Sequence, residues 1–154
     1  MKNQTYDIII VGGAIMGSSI AYFTAANPTF KGKIAVIEKD PTYAQSSTSL
    51  SAGGIRQQFS NRENILISKF GARFLKDINK HLKVDDDAIN IDFVENGYLF
   101  LATEKGLSIL ERNHSLQTSL EADVTILDAN HLKKKFSWMN VEDIAAGSFG
   151  YPNS

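Results

Sequence analysis

The sequence predicts an α/β fold: a parallel βαβ unit at the amino end, followed by the start of an α+β domain. Three observations carry that expectation. Tyr6 to Val11 is dominated by β-branched residues, a turn of small residues follows it, and "KIAVIE", Lys33 to Glu38, repeats the strand pattern after one helix length. Continuous rather than alternating apolar text suits strands covered on both faces, as in a parallel sheet.

Between the two strands, Ala14 to Ala26 reads as a helix with Gly17, Ala21 and Ala25 four apart on one face that can lie close on the sheet. Asn27-Pro28 ends it. The unit closes within about thirty residues, so its crossover should be right-handed. Asp40 to Gly54 is polar and small. Ile65, Leu66, Phe70, Phe74, Ile78 and Leu82 then recur at helical spacing, which predicts one long helix capped by Ser60 or Asn61 and reaching about His81.

Asp85-Asp86-Asp87 reads as a solvated loop, since three adjacent carboxylates without a following ligand pattern make no metal cage. Ile89 to Thr103 reads as two strands turning at Glu95-Asn96-Gly97. A helix from Glu104 to Ala122, a strand at Val124 to Leu127, a helix from Ala129 to Trp138 and a last strand within Ile144 to Gly150 follow. Tyr151-Pro152-Asn153-Ser154 brings no closing element, so the chain reads as incomplete. The change of style near Asp85 divides it into 1–84 and 85–154.

With 43% apolar residues, 21% charged residues and a net charge of −1, the composition is that of a soluble globular protein without a surface for nucleic acid. The absence of cysteine excludes a disulfide framework, a thiolate metal site and a cysteine nucleophile, and is compatible with a reducing compartment. The first apolar stretch is too short for a membrane span and lacks the flanks of a signal peptide. The expectation is a cytoplasmic protein with its native start at Met1. His81, His114 and His131 are scattered without helical pairing, so no metal site is expected. Lys133-Lys134-Lys135 beside Phe136 and Trp138 reads as a solvated face with an apolar underside.

The chemistry lies in the turn "VGGAIMGSS", Val11 to Ser19. A dinucleotide diphosphate binds at a helix amino terminus, where unpaired N–H groups and the positive dipole end meet it. In G-x-G-x-x-G the first glycine permits the turn, the second the phosphate's approach and the third helix-on-strand packing. Gly12 and Gly17 hold the first and third places and Ala14 the second, with Gly13 available for the close approach. Helical dihedrals at Ala14 would accommodate its methyl, with the diphosphate slightly displaced or held through water. Glu38 ends the second strand about twenty positions past Gly17, where an acid accepts hydrogen bonds from the adenosine ribose. Alone, the glycines could serve only a tight turn and Glu38 could be a solvated strand end; their order together favours a Rossmann-like dinucleotide unit. A phosphorylated ribose is disfavoured, because Glu38 would face a like charge.

In a nicotinamide-binding domain the second strand usually runs on into another helix and strand. Here "QSSTSLSAGGIRQQFS", Gln45 to Ser60, follows instead. Together with "DIIIVGGAIMGSSIAYF" and "IAVIEKD", this text resembles the FAD-dependent oxidoreductases of the D-amino acid oxidase, glycine oxidase and sarcosine oxidase superfamily. "NGYLFLAT" and "KKKFSWMN" are similar to its branch called FAD-dependent oxidoreductase domain-containing protein 1 and bacterial relatives. The resemblance covers essentially the whole sequence, but only the front portion of such a protein.

The resemblance implies an FAD-binding domain, begun by 1–84, with a substrate-binding domain begun by 85–154. It implies that Gly12, Gly13, Ala14, Ile15 and Met16 wrap the diphosphate and that Glu38, with Lys39 beside it, holds the ribose. Ser47 and Thr48 would reach the phosphates or ribityl chain, and Ala52, Gly53 and Gly54 would run close to the isoalloxazine. Arg56 stands where a basic side chain approaches the flavin or a substrate carboxylate; a salt bridge at the helix start is the alternative. Some relatives attach FAD through a histidine in this loop or a later cysteine. No histidine precedes His81 and there is no cysteine, so FAD is expected to be noncovalent.

The implied activity is oxidation of the C–N bond of an amine or amino acid by hydride transfer to flavin, with oxygen or a quinone or other carrier as electron acceptor. Two other readings stay open: an FAD-binding assembly factor without turnover, and an NAD-binding dehydrogenase domain.

Overall fold

Two short runs of β-branched residues meet in parallel. β1 (Ile8–Val11) pairs with β2 (Ile34–Ile37), Ile8 opposite Ile34 and Val11 opposite Ile37. The computed structural model describes residues 5–150, so the reading of Met1 as a native start and that of the closing Tyr151 to Ser154 fall outside the described residues. The parallel pairing is possible because α1 (Ile15–Ala26) makes the crossover and packs on both strands. Gly17 is buried where α1 crosses the turn; a side chain there would collide with the Gly12 carbonyl.

Burial on both faces of the strands is not what the structure has. Ile10 is buried, but Val11 is 85% exposed and Ile9, Val36 and Ile37 are exposed as well. Continuous apolar text encodes two covered faces, and within this unit a single helix packs on the strand pair.

Packing divides the chain into two compact units, one up to Gly54 and one from Ile55. This division precedes the change of sequence style near Asp85 because α2 (Arg62–Lys76) belongs to the second unit. Its Ile65 is fully buried with Ala122 and Val124, and Phe59, Leu116 and Leu120 pack around them. Of the two predicted caps, Asn61 is the one used, its side chain accepting from the Asn64 N–H at 3.0 Å.

The helix expected to reach His81 breaks at Asp77, where ψ turns to 18°, and α3 (Ile78–Leu82) continues. Asp77 binds the Lys80 ammonium at 2.7 Å and gives its carbonyl to the Lys80 N–H. Such local bonding by a short acidic side chain competes with helix continuation.

The second unit's sheet is antiparallel, in the order β3-β5-β4. β3 spans Tyr98–Ala102, β4 Val124–Asp128 and β5 Ala146–Gly150. Between them, α4 (Glu104–Ser119) and α5 (Ala129–Lys135) pack on the strands. The central strand β5 is apolar and small. A side chain at Gly147 would lie 3.0 Å from both Leu99 of β3 and Leu132 of α5, so a strand and a helix close over it.

The hairpin expected at Glu95-Asn96-Gly97 does not form. Gly97 has the positive φ of 74° that an Asn-Gly turn uses, but β3 pairs with β5, and Gly97 sits against Phe149 and the Gly150 carbonyl. The Ile89 backbone is held by the Asn79 side chain at 2.6 and 3.0 Å, and Asn90 and Asp92 bond each other. Ile89, at the head of the expected first strand, is thereby tied to α3.

Gly17→Ala should lower stability by about 1–3 kcal/mol, the range for overpacking a close contact. Gly71→Ala, at an α2 position with open space, should be neutral or stabilising by up to about 1 kcal/mol. Denaturant unfolding of the two variants beside the parent protein checks both signs.

Candidate cofactor site at the mouth of α1

The turn after β1 is fastened before it bends: the Gly12 N–H donates to the Ile37 carbonyl at 2.8 Å, locking the two strand ends together. Gly12 then takes a φ of 96°, which only glycine adopts without strain, and the space that a side chain there would occupy is open. Gly13 is buried. Its N–H donates to Glu38 Oε2 at 2.7 Å across 25 residues, while Glu38 Oε1 accepts from the Asp40 N–H at 2.9 Å. These two backbone donors, Gly13 first, hold the Glu38 carboxyl below its ordinary value. Each oxygen retains a lone pair for a further donor.

Ala14 is the N-cap of α1, one residue before its first helical position, so the helical dihedrals that would have accommodated its methyl are not what it has. Its φ of −67° and ψ of −170° lie in the extended region open to any residue, so the position makes no demand for glycine. Alanine has no capping atom. The Ile15 N–H instead donates to Thr48 Oγ1 at 3.3 Å, bringing the serine-rich segment to the helix mouth. Ser51 Oγ donates to the Thr48 carbonyl and accepts from the Gly53 N–H, so Gly53 is linked back to Thr48. No acidic residue lies in the first turn of α1 to oppose an anion.

The structure thus gathers Gly12, Gly13, Ala14, Ile15, Gly17, Glu38 and Thr48 around one helix start. Met16 is exposed on that first turn. Lys39 and Ser47 are exposed, and Ala52, Gly53 and Gly54 are exposed at the end of the first unit. Open space over Gly12, a helix start without its own cap and an ionised acid with spare acceptor capacity fit an adenine dinucleotide: backbone donors for its diphosphate, a carboxylate for its ribose hydroxyls.

Arg56 belongs to the second unit, where its guanidinium lies over the rings of Phe59 at 4.7 Å and Phe100 at 5.1 Å. It makes no ion pair among the described residues, so the salt bridge at a helix start is not formed; α2 begins six residues later. It borders a cavity of about 510 Å³ with Phe59, Phe100, Ile109 and Asn113. Sequence reasoning missed Gln58, which is buried and donates to the carbonyls of Tyr98 at 3.1 Å and Ser148 at 3.0 Å, anchoring the segment that carries Arg56. Two adjacent glutamines in otherwise small text were its only signal. It also missed Tyr43, whose ring lies against Gly13.

Strand, glycine turn, helix mouth and ionised strand-end acid define a Rossmann-type dinucleotide unit. The chain belongs to the FAD dependent oxidoreductase family, whose description matches residues 7–154, and FAD is the cofactor of that family. It is 50% identical over 150 residues to FAD-dependent oxidoreductase domain-containing protein 1 of Xenopus laevis, covering 96% of this chain and 30% of that one. The structure is similar to L-proline dehydrogenase from P. horikoshii, with a TM-score of 0.76, 23% identity and coverage of 97% and 37% of the two chains. It is also similar to glycine oxidase from Geobacillus kaustophilus, with a TM-score of 0.72, 22% identity and coverage of 96% and 39%. These two likenesses show a shared fold. The chain spans about 30% of the length of the curated relatives it matches. Among the described residues no helix is long and apolar enough to cross a membrane.

Because the native carboxyl titrates below the ordinary glutamate value of 4.5, Glu38 stabilises the fold fully above that value and loses the contribution as pH falls through its lower native value. Glu38→Gln should therefore remove part of the acid-side loss of stability, leaving the curve flatter below pH 4.5. Unfolding curves taken from pH 7 to pH 3 measure the difference.

Proposed function

We propose that the protein containing this chain is a noncovalent FAD enzyme that oxidises the C–N bond of an amine or amino acid. The observation that carries the reading is the ionised Glu38 held on the Gly13 N–H beside the α1 mouth. Within this chain, noncovalent attachment is supported by the absence of cysteine and of any histidine before His81. The substrate class draws support from the names of the fold neighbours, a proline dehydrogenase and a glycine oxidase.

In this reading residues 1–84 begin the FAD-binding domain and residues 85–154 begin the substrate-binding domain, a functional assignment separate from the packing division at Gly54. Gly12, Gly13 and the first N–H groups of α1 receive the diphosphate, with Ser47 and Thr48 at its side. Glu38 accepts the ribose hydroxyls, with Lys39 next to it. Ala52, Gly53 and Gly54 pass the isoalloxazine without side chains to obstruct it. Bound FAD would supply an acceptor for the hydride on the carbon next to the amine nitrogen. Arg56, unpaired and stacked on two rings, would orient a substrate carboxylate. Oxygen, or a quinone or other carrier, would then take the electrons.

The uninterrupted polypeptide that carries this sequence should purify yellow and bleach anaerobically with a member of an amine and amino acid panel. Bound flavin that no amine bleaches would replace the enzymatic reading with that of an FAD-binding assembly factor. A colourless protein that binds NAD would point to a dehydrogenase domain. Residues 1–154 alone should bind FAD at least about tenfold more weakly, because Val11, Ile37 and their neighbours lie uncovered; tight stoichiometric titration would overturn this. Glu38→Ala should weaken FAD several-fold or more, and unchanged affinity would remove the ribose assignment. Arg56→Gln should raise KM for carboxylate-bearing substrates by about tenfold or more and leave neutral amines nearly unaffected.

A further inference from the structure

Tyr43 stands against the glycine turn in a way that neither the motif nor the family description accounts for. A methyl group built on Gly13 would lie 2.7 Å from the Tyr43 hydroxyl, 3.4 Å from its ring edge and 3.4 Å from Glu38 Cβ. The phenol therefore lies against Gly13, on the side of the turn that also faces Glu38 Cβ. Its backbone has a φ of 57°, a left-handed conformation that costs a non-glycine residue on the order of 1 kcal/mol. Two turn bonds hold it there, Tyr43 N–H to the Asp40 carbonyl and Ser46 N–H to the Tyr43 carbonyl, both 3.0 Å. The side chain is half-buried, and its hydroxyl has no hydrogen-bond partner among the described residues.

We propose that Tyr43 is a direct ligand of the dinucleotide, donating its phenolic hydroxyl to a diphosphate oxygen beside Gly13. The assignment rests on the dinucleotide reading of the α1 mouth and follows from matching donors to acceptors. Glu38 is ionised and can only accept, so it takes the ribose hydroxyls, which donate. Diphosphate oxygens can only accept, and a phenol next to the helix mouth is a donor in want of an acceptor. The same contact explains why Gly13 has no side chain: any β-carbon would displace the hydroxyl from the turn.

The test uses the uninterrupted polypeptide stripped of flavin, titrated calorimetrically with FAD and with ADP. Tyr43→Phe keeps the ring and removes only the donor; it should weaken both ligands by about tenfold, the effect of one hydrogen bond to a charged acceptor. The ligand-free melting temperature should stay at the parent value. Wild-type affinity of Tyr43→Phe for both ligands, with Glu38→Ala still weakened, would overturn the role of Tyr43 alone. A loss of affinity matched by a fall in ligand-free stability would mark Tyr43 as a packing residue and also overturn it. Failure of the parent protein to bind FAD or ADP would instead remove the dinucleotide reading underneath.

Discussion

The hydrogen bond from the Gly13 N–H to Glu38 extends the β1–β2 pairing past the strand ends into the turn. The strand pair fixes the ends of β1 and β2 side by side, but it does not decide which way the turn faces. A carboxylate bonded to the turn's second residue does. It presents the opening of α1 on the same side as its own free lone pairs, and it stays charged because two backbone donors oppose its protonation. In the proposed reading, recognition of a diphosphate and recognition of a ribose share one small framework, with the acid serving as a structural tie and as the proposed binding group.

Much of this framework was legible in the sequence. The βαβ order, the parallel pairing, Gly12 at a positive φ, Gly17 under the helix and Glu38 at the strand end all follow from period, turn chemistry and spacing. What was not legible depends on partners distant in sequence. Asn96-Gly97 has the local chemistry of a hairpin, yet strand pairing is chosen by the small, apolar text of β5 about fifty residues later. The break at Asp77 is an interaction of one side chain with Lys80, too slight to disturb the apolar period that runs on to Leu82. The backbone of Ala14 was not legible because the motif does not reveal where the helix begins; one residue's difference moves the position from helical to extended backbone.

The second unit follows different rules. Its core is organised around Ile65, which lies in a helix whose text runs on from the first half of the chain, yet its packing partners are Ala122 and Val124. Gln58 extends that connection on the other side by bonding the carbonyls of Tyr98 and Ser148. The segment bearing Arg56 is accordingly held by buried amide bonds and not by a salt bridge, which leaves the guanidinium's charge uncommitted and its planar face supported on two rings.

The Thr48 hydroxyl on the Ile15 N–H has a kinetic meaning. In the proposed dinucleotide reading, an arriving anion and the threonine would compete for the same proton, so entry would be an exchange in which one oxygen replaces another and the serine-rich segment gives up its attachment as the ligand gains its own. Association and rearrangement of that segment become one event, with a barrier set by how readily a single neutral contact lets go.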